Sequence, residues 1–384
     1  MKDELLIKAS ELDNKNYLTP KISVVMAVYN KKPFLERSVL SVLNQIYSDF
    51  ELICIDGSST DGGVEYLQSI DDHRLRVYSQ PNQGISAAKN WGIILAHADL
   101  ISFIDADDEW DNEFLLELVT LSAQYPEAAG LVTAYRCRIG TYARKVHIPI
   151  KMKTGLIINY FHSRQFGWGV HTSSVAITRT AIEKAGFFPV LLSSRSANRS
   201  WLVDGRGKII STFENIIFES GFISVDKRYV KVPPELTEFA DMNIEIPGPG
   251  AEDQYLHDLV ALVGDYAFSN RVLSTWYGDV PGQDTKKKHS PVFPHILGLI
   301  EFSKRDLSVR TNNPIFRRYL KYIAVPATRE IVTAVAHGDL LTAKHGLSDI
   351  WCCTDASKMV MAATFWKWIF RLNKRLMFFK LRFR

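Results

Sequence analysis

Cysteine is scarce in this sequence, with four residues in a chain of 384. The four are Cys54, Cys137, Cys352 and Cys353, and their spacing does not match that of a zinc site. A disulfide framework is not expected in a chain of this size, so we expect a reducing compartment.

Long apolar runs and two common nucleotide-binding motifs are also missing. The sequence contains no run of about 18 uninterrupted apolar residues, so no transmembrane helix is predicted. Residues 1–16 are polar and charged and lack the apolar region of a secretory signal. Neither Gly-x-Gly-x-x-Gly nor Gly-x-x-x-x-Gly-Lys-Ser/Thr occurs, which disfavours dinucleotide and P-loop sites. We expect a protein that is made and kept in the cytoplasm.

Charge is nearly balanced overall but uneven along the chain. The net charge of +4 excludes nucleic-acid binding through bulk positive charge. Residues 365–384 hold seven basic and no acidic residues, so the preceding part carries a net charge of −3. Hydrophobic residues make up 46% of the chain, which is enough for a large core.

Short apolar runs alternate with helical periodicity in the first third of the chain. Residues 22–28 form a β-branched run that is typical of a strand buried on both faces. Further strands are predicted at residues 50–55, 75–78, 100–104 and 130–135, with helices between them. This alternation predicts an α/β fold with a mostly parallel sheet.

Polar side chains follow the predicted strands where each strand ends. They include Tyr29, Asp56, Asn82 and Asp105. The carboxyl ends of parallel strands meet at one edge of the sheet, where such folds bind ligands. We therefore expect these side chains to share one crevice.

The segment Asp105–Asp108 places three carboxylates directly after a buried strand. Asp105 and Asp107 offer hard oxygen ligands for Mg²⁺ or Mn²⁺, which would assist the departure of a diphosphate. The alternative is a solvated acidic turn before a helix. Asp56 is a candidate acceptor of hydrogen bonds from a base or ribose, whereas residues 58–62 are better explained as a turn that caps the next helix.

Five motifs occur in the order typical of one enzyme family. They are residues 24–30, 38–45, 56–62, 82–90 and 103–108. Over residues 20–135 the sequence closely resembles the family 2 glycosyltransferases. The resemblance implies a GT-A fold, a Rossmann-like mostly parallel sheet flanked by helices. It also implies a nucleotide-diphospho-sugar donor, Mn²⁺ or Mg²⁺ at the Asp-x-Asp motif, and inversion at the anomeric carbon.

The resemblance assigns roles to individual residues. It implies that the nucleotide sugar is bound by Ala27, Val28, Tyr29, Asp56, Lys89 and Asp105, and that the metal is bound by Asp107 and Asp105. Gly57 stands where the family usually has a second acidic residue, and Lys89 stands where it usually has Arg. UDP is the expected nucleotide, with GDP and dTDP left open by these two departures.

A weaker second part of the resemblance begins near residue 169. Residues 169–188 resemble the segment that lines the acceptor side. His171 is a candidate to contact the acceptor or a phosphate, although a lone histidine is more often a structural residue. Trp168 is a candidate to stack on a sugar ring, although a buried structural role explains it at least as well. The pair Glu252-Asp253 resembles the family's acidic pair, and its distance from that segment implies an insertion at about 190–250. We expect Asp253 to be the general base, with Glu252 as the alternative. The competing interpretation is that the pair only stabilises the N-terminus of a helix through the helix dipole.

The basic segment, residues 365–384, has helical amphipathic spacing. Its apolar and basic residues fall on opposite faces, as in helices that lie in an anionic membrane interface. The alternative is a terminal helix packed on the body of the protein. We expect peripheral attachment at the inner face of the cytoplasmic membrane.

Together these features predict three regions, an N-terminal extension (1–20), a GT-A domain (21–290) and a helical C-terminal extension (291–384). The predicted function is transfer of a sugar, expected from UDP, to a hydroxyl of a surface-glycan or lipid-linked acceptor. Two other classes stay open. A metal-dependent phosphohydrolase is disfavoured because the acidic motif follows a late strand and no nucleophile motif is present. A catalytically silent glycan-binding protein would be marked by a damaged metal motif or a missing base.

Overall fold

The computed structural model describes residues 19–280, apart from 141, 146–153, 158–159, 161–169, 195, 198, 215–220, 238–241 and 247–251. The predictions for Trp168, for the helical extension 291–384 and for the basic segment therefore lie outside the described residues. No helix in the described ranges is long and apolar enough to cross a membrane.

Strands and helices alternate from the start of the described chain. The first elements are β1 (Ile22–Val28), α1 (Lys32–Leu43), β2 (Phe50–Asp56), α2 (Gly63–Gln68), β3 (Leu75–Ser79), α3 (Gly84–Leu95) and β4 (Leu100–Phe103). They are followed by β5 (Glu109–Trp110), α4 (Phe114–Gln124), β6 (Gly130–Ile139), β7 (Tyr142–Lys145), β8 (Gly155–Ile157), β9 (Val175–Thr178) and α5 (Arg179–Ala185). The last are β10 (Val190–Ser194), β11 (Arg199–Val203), β12 (Ile209–Glu214), β13 (Gly221–Ser224), β14 (Met242–Ile246), α6 (Glu252–Val263) and β15 (Tyr266–Tyr277).

The main sheet has the strand order β3-β2-β1-β4-β9-β6-β15-β5, with β7 paired to β6 and β8 paired to β15. Strands β3, β2, β1 and β4 are mutually parallel, and so are β6 and β15. Strand β9 runs antiparallel to both of its neighbours, β4 and β6. The prediction of a mostly parallel α/β sheet is confirmed.

Helices cover both faces of β1, which explains its continuous apolar run. Val24 and Met26 share a core cluster with Leu35 and Val39 of α1. On the opposite face, α3 approaches so closely that a Cβ on Gly92 would lie 2.3 Å from Cγ1 of Val25. A strand buried on both faces needs apolar residues at every position rather than an alternating pattern.

A second sheet occupies Val190–Ile246, within the range where the insertion is predicted. Its five strands are antiparallel in the order β12-β11-β10-β14-β13. Leu192 and Trp201 form a small core with Ala87 of α3. The second sheet is therefore anchored on the helix that also carries Lys89. The domain boundaries themselves stay a prediction.

The side chain of Asp111, just before α4, does not cap this helix. The carboxylate of Asp111 instead pairs with Arg136, and its backbone carbonyl accepts the N–H of Phe114. Glu113 occupies the N-cap position, without a side-chain capping hydrogen bond. The charge of Arg136 on β6 offers Asp111 a stronger partner than a backbone amide.

Candidate active site

The acidic loop, Asp105–Asp108, leaves the carboxyl end of β4 near the middle of the main sheet. Three groups hold it, one from Lys31, which precedes α1, and two from the middle of α1. The Nζ atom of Lys31 lies 2.7 Å from Oδ2 of Asp107, and the Arg37 guanidinium donates to the Asp107 carbonyl. Ser38 Oγ donates to the Asp108 carbonyl at 2.6 Å. Helix α1 therefore fixes the backbone of the acidic loop.

Asp108 is the most deeply buried carboxylate of the loop, with no exposed surface. Its Oδ2 accepts from Ser173 Oγ at 2.5 Å, and its Oδ1 accepts from the backbone N–H of Tyr277 at 3.3 Å. Burial and the charges of Asp105 and Asp107 raise the pKa of Asp108 well above its ordinary value. Asp108 thus links the loop to the 3₁₀ turn Thr172–Ser174 and to the end of β15.

Lys89 lies at the centre of the site with only 2% of its surface exposed. Its Nζ is 3.4 Å from Oδ1 of Asp105. Burial lowers the pKa of Lys89, but the charges of Asp105, Glu252 and Asp253 outweigh burial and raise it above its ordinary value. Lys89 is therefore charged at neutral pH, and the acidic pair of α6 comes close enough to stabilise that charge.

Asp253 lies in the first turn of α6, where the resemblance predicted a general base. Its Oδ2 accepts from Thr172 Oγ1 at 2.9 Å, and its Oδ1 accepts from the backbone N–H of Gln254 at 2.8 Å. Burial raises the pKa of Asp253, but the positive charge of Lys89 and the hydrogen bond from Thr172 contribute to a net lowering. Asp253 is therefore ionised at neutral pH, as a base must be.

His171 precedes the 3₁₀ turn and caps it. Its Nδ1 accepts the backbone N–H of Ser173 at 3.1 Å and lies 3.9 Å from Oδ2 of Asp108. Burial lowers the pKa of His171, so the ring is neutral at neutral pH. Because Nδ1 accepts a hydrogen bond, the ring proton of the neutral form is assigned to Nε2.

One group of side chains has the spacing of a cation site. Asp105, Asp108 and His171 each offer a ligand atom, and the three atoms lie within 4.8 Å of one another. Carboxylate oxygens suit Mg²⁺ and Mn²⁺, and a cation would relieve the repulsion that raises the pKa of Asp108. The two carboxylates fit a divalent ion directly, whereas His171 would first have to release the Ser173 amide.

Asp107, expected as a metal ligand, is not part of this group. The expectation treated the loop as extended, so that residues two apart would point the same way. The N–H of Asp108 instead donates to the Asp105 carbonyl at 3.0 Å, and this turn brings Asp108 back beside Asp105. The Asp107 carboxylate faces Lys31. The assignment of Asp105 and Asp107 as metal ligands stays a prediction, and the turn that brings Asp108 beside Asp105 cannot be seen in residue spacing.

Four of the residues predicted to bind the nucleotide sugar lie at or beside the ends of β1 and β2, on the opposite side of β4 from β9, β6 and β15. They are Ala27, Val28, Tyr29 and Asp56. Val28 and Asp56 are register partners at the ends of β1 and β2. Asp56 is buried, and its carboxylate accepts the N–H of Ser59. Tyr29 is 49% exposed, Ala27 is partly exposed and Val28 is buried. The structure therefore brings these residues to one edge, and their nucleotide-binding roles stay predictions.

A protein-family model covers most of the residues of the candidate active site. Residues 23–186 match the family model described as glycosyl transferase family 2. The match includes the acidic loop, Lys89 and His171, and it ends before Asp253.

Curated relatives match a part of the chain. An uncharacterised glycosyltransferase of Haemophilus influenzae is 43% identical over 99 residues, which is 25% of this chain and 40% of that protein. The putative colanic acid biosynthesis glycosyl transferase WcaA of Escherichia coli is 30% identical over 149 residues, 38% of this chain and 53% of that protein. The chain thus spans about half or less of the length of these relatives.

Among solved structures, TarS 1–349 of S. aureus in complex with UDP-GlcNAc has the same fold. It aligns with a TM-score of 0.52 at 13% identity, covering 85% of this chain and 90% of that chain. The expected GT-A fold is confirmed.

Proposed function

We propose that this chain transfers a sugar from a nucleotide-diphospho-sugar to a hydroxyl of a glycan acceptor, with inversion at the anomeric carbon, because residues 23–186 match the family model described as glycosyl transferase family 2. One observation supports the proposal most. The buried ammonium group of Lys89 forms an ion pair with Asp105 of the acidic loop, and the negative charges of the acidic pair of α6 also stabilise it. A nucleotide-sugar site and a candidate base therefore share one cluster.

In the proposed mechanism Asp253 accepts the proton of the acceptor hydroxyl. Its hydrogen bonds from Thr172 and Gln254 orient the carboxylate, and the hydroxyl oxygen then attacks the anomeric carbon. The new glycosidic bond forms as the bond to the diphosphate breaks on the opposite face, which inverts the configuration. Asp105 and Asp108 would hold Mn²⁺ or Mg²⁺, which supplies charge neutralisation for the departing diphosphate. The ammonium group of Lys89 adds a fixed positive charge.

UDP-sugars are the proposed donors, and a surface-glycan or lipid-linked sugar is the proposed acceptor. TarS 1–349, which has the same fold, was crystallised with UDP-GlcNAc. The E. coli relative is described as a putative enzyme of colanic acid biosynthesis. The first description supports a UDP-sugar donor, and the second supports a role in polysaccharide biosynthesis.

Thermal-shift measurements with UDP-, GDP- and dTDP-sugars, each with Mn²⁺, Mg²⁺ or a chelator, test the proposal. We expect a UDP-sugar with Mn²⁺ to raise the melting temperature by about 5 °C at saturating concentrations. Asp105→Asn should lose the metal-dependent part of this shift. Asp99→Asn, at the exposed opposite end of β4, is the matched control.

Two results would contradict the proposal. Failure of every nucleotide sugar to stabilise the protein would favour a silent glycan-binding protein. Release of inorganic phosphate from phosphate esters without sugar transfer would favour the phosphohydrolase.

We also propose that the basic segment attaches the protein to anionic membrane at the inner face of the cytoplasmic membrane. The segment contains seven basic residues and no acidic residue, which supports this proposal. Deleting residues 365–384 should abolish cosedimentation with vesicles that contain phosphatidylglycerol. Vesicles of phosphatidylcholine alone are the control. Equal sedimentation of the full-length and shortened proteins would contradict the proposal.

A further inference from the structure

Three aromatic side chains meet beside the candidate base. The ring of His171 packs against those of Tyr135 and Trp276, with centroid distances of 5.0 Å and 5.8 Å. The planes are tilted by 33° and 44° to that of His171. We call these three residues the aromatic platform. Each remains partly exposed, with 18% of the His171 side chain accessible.

Strand register places the outer two rings of the platform on one face of the sheet. Trp276 on β15 pairs with Cys137 on β6, which lies two residues after Tyr135. Residues two apart on a strand point to the same face, and so do register partners. Both rings therefore reach His171 from adjacent parallel strands.

The platform lies on the base side of the site. His171 immediately precedes Thr172, whose hydroxyl holds Asp253, and its charge environment includes both Asp253 and Asp105. The residues expected to bind the nucleotide end β1 and β2, on the other side of β4 in the strand order. The acidic loop thus separates the platform from the nucleotide half of the sheet.

The rings of the platform are less buried than the aromatic rings of the core. On the same strand β15, Tyr266 and Phe268 are fully buried at the amino-terminal end. Trp276 stands at the carboxyl-terminal end and keeps accessible surface, as does Tyr135 on β6. Large rings that are partly exposed beside catalytic groups provide apolar contact area for a ligand.

We propose that the aromatic platform binds a pyranose ring of the acceptor glycan and so places its hydroxyl beside Asp253. This inference rests on the proposed function. The axial C–H bonds on one face of a pyranose pack against the faces of aromatic rings, while the equatorial hydroxyls stay free for hydrogen bonds.

The test uses the full-length protein and a panel of methyl hexopyranosides as probes. Saturation-transfer NMR with irradiation of the aromatic protons should label the axial C–H face of the bound glycoside in the wild-type protein. Trp276→Ala and Tyr135→Ala should each weaken glycoside binding by about tenfold. Trp276→Phe and Tyr135→Phe keep a ring and are the matched controls. UDP binding with Mn²⁺ is titrated separately for each variant.

The proposal is supported if the alanine variants lose glycoside binding and keep UDP affinity while the phenylalanine variants keep both. It is overturned if the folded alanine variants bind glycosides like the wild type, or lose UDP affinity to the same extent. It is also overturned if the wild type shows no labelling up to about 50 mM glycoside. Ring-dependent glycoside binding in a protein that binds no nucleotide would sustain the platform and contradict the proposed transferase. The labelling pattern of the wild-type protein tests the proposal without any variant, so the test still holds if a variant misfolds.

Discussion

At the scale of single residues, the site is a balance between buried carboxylates and two lysines. Burial and the neighbouring carboxylate of Asp105 raise the pKa of Asp107 and, more strongly, that of Asp108. Asp253 is partly exposed, and its pKa is lowered because Lys89 and Thr172 stabilise the charged form. The pKa shifts therefore suit different roles. A divalent cation would relieve the charge repulsion at Asp107 and Asp108, whereas Asp253 is ionised and ready to accept a proton.

Lys31 is expected to oppose cation binding, because its ammonium group already lies 2.7 Å from Asp107. Lys31→Met removes a positive charge beside the acidic loop. We expect Mn²⁺ alone to bind about threefold or more tightly to this variant, measured by isothermal titration calorimetry. Lys32→Met, one residue further on and exposed, is the matched control. Weaker Mn²⁺ binding in the Lys31 variant would show that Lys31 supports the cation site.

At the scale of elements, the site depends on how closely α3 packs against β1. Lys89 lies one turn before Gly92, and a Cβ at Gly92 would overlap Val25. No rotamer of alanine relieves this contact, because the Cβ is fixed to the backbone. Helix α3 would have to move away from the sheet and take Lys89 with it.

Gly92→Ala should therefore destabilise the protein by about 1–3 kcal/mol, even though alanine favours helices. The measurement is the free energy of unfolding in urea. Ile94→Ala, on the exposed face of the same helix, is the control and should change stability little. Equal stability of the Gly92 variant and the wild type would contradict the packing described for α3 and β1.

Elements with a strong local signal were predictable from the sequence. Strand β1 is a continuous apolar run, and α1 has helical spacing after Pro33, so both could be placed from a few residues. The second sheet was expected only as an insertion at about 190–250, because pairing between β10 and β14 joins residues about 50 apart and leaves no local pattern. In the site, Asp105 could be predicted, whereas Asp108 depends on a turn, and Tyr135 and Trp276 depend on pairing between distant strands.

At the scale of the whole molecule, the main sheet gathers groups that are far apart in sequence. Lys89, Asp105, Thr172 and Asp253 come from α3, the acidic loop, a 3₁₀ turn and α6, and they meet at the carboxyl edge of the strands. The second sheet, inserted between α5 and α6, packs on α3 through Ala87. The order of strands places the predicted nucleotide residues on one side of the acidic loop and the aromatic platform on the other.

The central claim is that Asp253 is the base of a sugar transfer at this edge. The most direct test measures both donor turnover and binding of UDP with Mn²⁺ for Asp253→Asn, with Glu252→Gln as the matched control. The account predicts that Asp253→Asn loses turnover by about 10²-fold or more, while UDP affinity stays within about twofold and Glu252→Gln remains active. Wild-type turnover by Asp253→Asn, or loss of turnover only in Glu252→Gln, would contradict it.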